Sequence, residues 1–255
     1  MLITDIKEHV GYIILNRTEK KNALNFEFIS LIKKALADFR VNPLVKVVIL
    51  KSNSDVFCAG ADLEYLISLQ NNTFEDNLKD TSHIKELFEA IYTFPKIIIA
   101  QVEGHAIAGG CGIANATDFC FATPEAKFGY SEVKIGFIPA IVSVYLVKKI
   151  GEAKSRDLLL TGNLVSGPSA VQYGIVNEII EKDKIEETVF HFAKKLSETT
   201  SPHSIKFTKE LLIQIQDKSF DEAMRLATEY NAKMRETNDF KKGIMSFINK
   251  EKISW

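Results

Sequence analysis

The sequence predicts an α/β fold whose C-terminal region is all helix. A strand–loop–helix pattern recurs three times by residue 118, which favours a mainly parallel sheet covered by helices. From about residue 184 onward apolar residues recur only at helical spacing. Composition supports a packed core: of 255 residues 46% are hydrophobic and 25% charged, which excludes a disordered chain.

The elements follow in order. Ile3, Ile6, Val10, Tyr12, Ile13 and Ile14 predict two strands meeting near Gly11. After a turn region at 16–25, Phe28, Ile29, Ile32, Leu36 and Phe39 predict a helix, with Lys33, Lys34 and Arg40 on or near its polar side; Asn42-Pro43 stops it. The β-branched run 45–50 reads as a buried strand and leads to the small-residue loop 57–62 and a helix. Residues 70–82 are polar and read as a loop or helix edge. Ile84, Leu87, Phe88 and Ile91 mark a helix ending before Pro95, and Lys96–Val102 is a buried strand. A Gly/Ala-rich loop and tight helix at 104–116 precede a short strand at 119–123. Helix is predicted at 158–160 and 169–173, strand at 175–180, and helix at 184–198, 202–217, 219–236 and 239–250. Phe220, Met224, Ala227, Tyr230 and Met234 form a stripe at helical spacing. The compositional shift near 185 divides a core, 1–184, from a helical region, 185–255.

Charge and cysteine content exclude several function classes. Lys+Arg number 32 against 33 Asp+Glu, for a net charge of -1, so no general polyanion binder is expected. The longest apolar run, 137–147, has eleven residues, against about 20 for a membrane span. The N-terminal ten residues carry Asp5 and Glu8 without an apolar core, unlike a secretory signal. Cys58, Cys111 and Cys120 form no CxxC pair, and five histidines show no HExxH spacing. The expectation is a soluble, reduced, cytoplasmic, metal-free protein.

Two loops could carry chemistry: Cys58-Ala59-Gly60-Ala61-Asp62 and Ala108-Gly109-Gly110-Cys111-Gly112. Each follows a predicted strand and opens a helix, where unpaired N–H groups and the helix dipole favour negative charge. Two such groups converging on one carbonyl would form an oxyanion hole. Either loop alone is equally explained by tight helix–strand packing. Glu132 lies among apolar and aromatic residues in 128–139, where burial would raise its pKa toward acid/base use; a solvated loop residue is the alternative. Asp62 and Asp118 read as capping or pairing residues. Cys58 and Cys111 read as packing residues, and His105 as a loop or core histidine open to ligand contact.

Taken together, the pattern resembles the crotonase family of enoyl-CoA hydratases and isomerases. The resemblance is carried by Asn16-Arg17 with Lys21 to Asn25, Phe57 to Leu63, Gly104 to Cys111, Phe128 to Pro139, Leu159 to Gly162, Ala170 to Val176 and Phe240 to Lys250. It implies a spiral of repeated β-β-α units, with a C-terminal helical region that completes the site and builds trimers, in some members paired into hexamers. It implies an acyl-CoA thioester substrate and no cofactor beyond that coenzyme A. The amides of Ala61 and Gly109 would hold the thioester oxygen, and Glu132 would be the main acid/base. Lys21, Ala23, Ala59, Asp62 and Leu63 match the CoA site. His105, Gly112, Pro139 and Ile141 match positions near the acyl group.

The chain departs from the hydratase pattern at two places. Hydratases pair two glutamates around a water; here one position is Gly112, and only Glu132 remains. Residues 140–144 (AIVSV) replace a glycine-rich stretch, which makes the acyl wall bulkier. Moving a double bond needs a single proton shuttle, so the residues tilt toward isomerisation or atypical hydration, with His105 or Ser143 as replacement groups. The alternatives are a branched-chain, methylglutaconyl-CoA-like hydratase or decarboxylase on the same scaffold, and, in another class, a non-catalytic acyl-CoA or RNA binder using Lys33, Lys34 and Arg40.

Overall fold

The computed structural model describes residues 1–253 and 255. It opens with an antiparallel hairpin of β1 (Leu2–Lys7) and β2 (Val10–Leu15). The turn is Glu8-His9, both at positive φ (48° and 68°), as a two-residue type I′ turn requires. The strands therefore do not meet at Gly11. That residue lies inside β2, where a Cβ would come within 2.8 Å of the Phe39 ring. Helix α1 (Phe26–Val41) is capped by the Asn25 side chain, which accepts the Phe28 N–H at 2.9 Å.

Three units then repeat the same path. Each runs through a strand of a large sheet, a short strand of a small sheet, and helix. They are β3 (Val47–Ser52), β4 (Val56–Cys58), α2 (Leu63–Ser68) and α3 (Phe74–Tyr92); β5 (Ile97–Val102), β6 (His105–Ile107) and α4 (Gly109–Ala116); and β7 (Phe119–Ala122), β8 (Lys127–Gly129), α5 (Ala140–Ile150) and α6 (Glu152–Thr161). The antiparallel β9 (Leu164–Ser166), α7 (Gly167–Tyr173) and β10 (Glu178–Ile179) close the core. The large sheet has the order β1-β2-β3-β5-β7-β10 and is parallel beyond the opening hairpin; the small sheet is β4-β6-β8-β9.

Alternate residues of the large sheet face opposite sides. Val48, Leu50, Ile98 and Ala100 pack toward α1, α3 and α4, whereas Val47, Ile49, Ile97 and Ile99 pack under Ile185, Val189 and Ala193 of α8 (Ile185–Thr199). With both faces covered, β5 reads as an apolar run interrupted only by Gln101. Beyond α8 lie α9 (Pro202–Gln214), α10 (Phe220–Glu236) and α11 (Asn238–Asn249). Lys209 of α9 ties this region to the core through Asp118 (2.5 Å).

Some sequence expectations change. The stretch 70–82 is helical from Phe74, because Thr73 and Asp76 form a reciprocal capping box. Its polarity reflects exposure rather than irregular backbone. The strand expected at 175–180 shrinks to Glu178–Ile179. The stripe on α10 divides: Tyr230 packs edge-on against Phe207, while Phe220 and Met224 remain exposed. The basic side of α1 is largely paired, Lys33 with Glu86 and Lys34 with Asp38.

Candidate active site

The small sheet brings the candidate residues together. Its strands β4, β6 and β8 are adjacent and parallel. Their carboxyl ends run directly into Ala59–Asp62, Ala108–Gly109 and Tyr130–Glu132. Strands lie about 4.8 Å apart, so the three segments share one end of one sheet, where open α/β sheets bind ligands.

Hydrogen bonding determines where the backbone donors point. Residues 21–24 lie beside 59–62: Lys21 O accepts from Ala59 N (3.0 Å), Gly60 O from Leu24 N (2.7 Å) and Leu24 O from Asp62 N (2.9 Å). Ala61 is thus bridged in parallel to Leu24 through its neighbours. In such pairing the bridged residue turns its own N–H to the opposite edge. Gly109 is the first residue of α4, where N–H groups have no intrahelical acceptor. Among the described residues, neither the Ala61 nor the Gly109 N–H meets a protein acceptor.

The two loops also touch. Gly60 has φ +91°, and a Cβ there would lie 2.8 Å from the Ala108 Cβ and 3.5 Å from the Gly109 nitrogen. Ala108 has φ 51° and ψ -121°, a strained backbone for a residue with a side chain. Its N–H is held by Gly129 O at 2.8 Å. At the far end of α4, the Lys149 ammonium donates to Asn115 O at 3.0 Å, where a cation suits the helix dipole.

A buried polar brace fixes the first loop. Arg17 pairs with Asp62 at 2.7 Å, their side chains 10% and 7% exposed, and donates to Ala23 O at 2.7 Å. Asn22 accepts from Arg17 N (2.8 Å) and donates to Ser52 Oγ and Phe57 O. Asp62 also caps α2 through Glu64 N at 3.0 Å. Burial alone would raise the Asp62 carboxyl, but the Arg17 guanidinium and the capping N–H groups outweigh it and hold it below the usual range. Lys21 and Leu63 are exposed beside this brace, Ala59 is half-buried, and Ala23 is buried. Arg17 and Asn22 had no role assigned from sequence; a charged residue within an otherwise polar turn carries no local sign of burial.

Glu132 begins a 3₁₀ turn (Glu132–Ile135) directly after β8. Its Oε2 is buried and, among the described residues, has no hydrogen-bond partner, and burial raises its pKa. The Tyr130 hydroxyl is buried nearby against Cys111. Gly112 lies one turn into α4 from Gly109, and a Cβ there would meet Val142 Cγ1 at 2.3 Å and the Phe88 ring at 2.8 Å. Pro139 precedes α5, and Ile141 packs partly into the core. Ser143 donates to Ala140 O at 2.7 Å, which occupies its proton. His105 opens β6, at the end of that strand away from Gly109; the structure does not bring it to Glu132. Burial pushes Cys58, Cys111 and Cys120 up to about 12, so their thiols remain protonated. Among the described residues there is no His/Cys/Asp/Glu cluster fit for a metal, and no helix is long and apolar enough to cross a membrane.

Comparison with known proteins agrees with this fold. The family profile described as "Enoyl-CoA hydratase/isomerase" matches residues 5–255. A Thermus thermophilus protein provisionally named enoyl-CoA hydratase is 40% identical over 244 residues, covering 96% of each chain. A trans-2-decenoyl-[acyl-carrier-protein] isomerase of Streptococcus mutans is 27% identical over 256 residues, covering 98% of this chain and 96% of its own. The crystal structure of an enoyl-CoA hydratase from Shewanella pealeana superposes with a TM-score of 0.94 at 29% identity, covering 100% of this chain and 95% of that one. With a family match running almost end to end, this chain belongs to the enoyl-CoA hydratase/isomerase family.

Proposed function

We propose that this protein is an acyl-CoA enzyme that shifts the double bond of an enoyl-CoA, with Glu132 as its only acid/base. The observation that carries the reading is the half-buried Glu132 carboxylate, whose Oε2 is buried with no protein partner among the described residues, together with a Gly112 that offers no second carboxylate. Glu132 takes a proton from C2 of a 3-enoyl thioester, and the C–H electrons flow into a dienolate whose charge rests on the thioester oxygen. The N–H groups of Ala61 and Gly109 would receive that charge, each contributing about 3–4 kcal/mol by the cost of losing such a donor. Protonated Glu132 then returns the proton to C4, and the electrons settle as a C2–C3 double bond. No second carboxylate is needed. Lys21, Ala23, Ala59, Asp62 and Leu63 are the residues proposed to hold the coenzyme A part, and no further cofactor is required.

Hydration is the second reading, favoured by the name of the 40% identical relative. Purified protein offered crotonyl-CoA and a 3-enoyl-CoA side by side separates the two. Isomerisation with hydration slower by at least about 10²-fold, the scale of a missing acid/base partner, is expected; comparable hydration would overturn the reading. Exposed Phe220, Met224, Ile244 and Phe247 on α10 and α11 support assembly of a homotrimer, with pairing of trimers a further step.

A further inference from the structure

Three glycines open α4, and they are small for different reasons. At Gly110 a Cβ would strike backbone, the Cys58 carbonyl oxygen at 2.2 Å. At Gly112 it would strike only side chains: Val142 Cγ1 at 2.3 Å and the Phe88 ring at 2.8 and 3.1 Å. The space before residue 112 is therefore filled, by one residue of α3 and one of α5. Both fillers are held. Phe88 is fully buried and stacks on Tyr145 (5.8 Å), which meets Tyr92 edge-on (5.1 Å). Val142 is 5% exposed, and a β-branched residue in a helix has essentially one rotamer. A water would need room for a probe sphere and two or more polar partners; the Phe88 and Val142 side chains provide neither.

We propose that Phe88 and Val142 determine reaction specificity: they plug the space before residue 112, one helical turn from the Gly109 donor, and keep water off that side of the site. This rests on the one-carboxylate reading. The proton that Glu132 takes from C2 then returns to C4 of the same molecule, instead of exchanging or leaving water to add its hydroxyl to C3 and its proton to C2. Neither residue is a catalytic group; each acts by occupying space.

The test uses the full-length protein, Val142→Ala and Phe88→Leu, singly and together, with cooperative melting checked for each. Two quantities are read: deuterium incorporated per isomerisation turnover in D2O, and the ratio of crotonyl-CoA hydration to 3-enoyl-CoA isomerisation. The expected result is a rise in both, with the ratio increasing about tenfold or more in the double variant. Folded variants with both quantities unchanged would overturn the proposal. Gly112→Ala supplies a readout independent of turnover. Alone it should lower Tm, and Val142→Ala in the same chain should relieve much of that loss; strictly additive Tm changes would overturn the plug. A wild-type protein that only hydrates would overturn the one-carboxylate reading, while the plug would still be judged by the variants' hydration rates and by this coupling.

Discussion

Asp62→Asn probes the brace beneath the Ala61 donor. The asparagine oxygen can still cap the Glu64 N–H, now 3.0 Å from Asp62. What disappears is the counter-ion of Arg17, whose side chain is 10% exposed. Its remaining neutral contact, to Ala23 O at 2.7 Å, does not neutralise a buried guanidinium. Removing one partner of a buried pair costs about 3–5 kcal/mol. In a domain of this size that lowers Tm by about 6–20 °C. Activity falls as well, since Asp62 N–H and Leu24 O define the orientation of Ala61, and a shift of about 1 Å costs about 10²-fold. Scanning calorimetry and steady-state kinetics on one preparation measure both effects. Arg17→Met with Asp62→Leu should recover most of the stability, because no lone charge remains. The native Asp62 carboxyl lies below its usual range. Its stabilisation is therefore present above the unfolded-state pKa and is lost as pH falls through the depressed native value. A D62N protein melting within about 2 °C of wild type would refute the reasoning.

Glu132→Gln should reduce isomerisation by about 10²–10⁴-fold while acyl-CoA binding persists; full turnover would remove Glu132 from the mechanism. Because burial raises this carboxyl, kcat/KM in the wild type should fall on acidification with an inflection above 4.5, the ordinary glutamate value, and the group's contribution to stability is lost as pH rises through that elevated value. Asn115 is 3% exposed, and among the described residues neither polar atom of its side chain has a protein partner. Asn115→Met should therefore stabilise the fold by about 1–3 kcal/mol, seen as a higher denaturation midpoint. The three buried thiols should resist alkylation in the native protein and react fully in denaturant; rapid native labelling would contradict their burial. Light scattering at micromolar concentration should give three times the 28.6 kDa chain mass or a multiple of it, and a monomer would leave the apolar faces of α10 and α11 without the proposed role.

Local chemistry encodes part of this protein without any tertiary context. Period-2 and period-3.6 patterns marked the long strands and the C-terminal helices, and the two Gly/Ala loops and Glu132 stood out because their residue types are unusual beside apolar strands. The start of α3 was also legible, in the Thr73–Asp76 capping box, but uniform polarity obscured it. Other features needed tertiary structure. Strands β4, β6 and β8 are three residues each, too short for alternation to assign them to a second sheet. Yet that sheet is what carries Ala61, Gly109 and Glu132 to one end. The Arg17–Asp62 brace joins positions 45 apart in the chain, and the filling of the space before Gly112 involves α3, α4 and α5. Such contacts depend on non-local packing, because a side chain's burial and the room beside a glycine are set by whichever distant elements close over it.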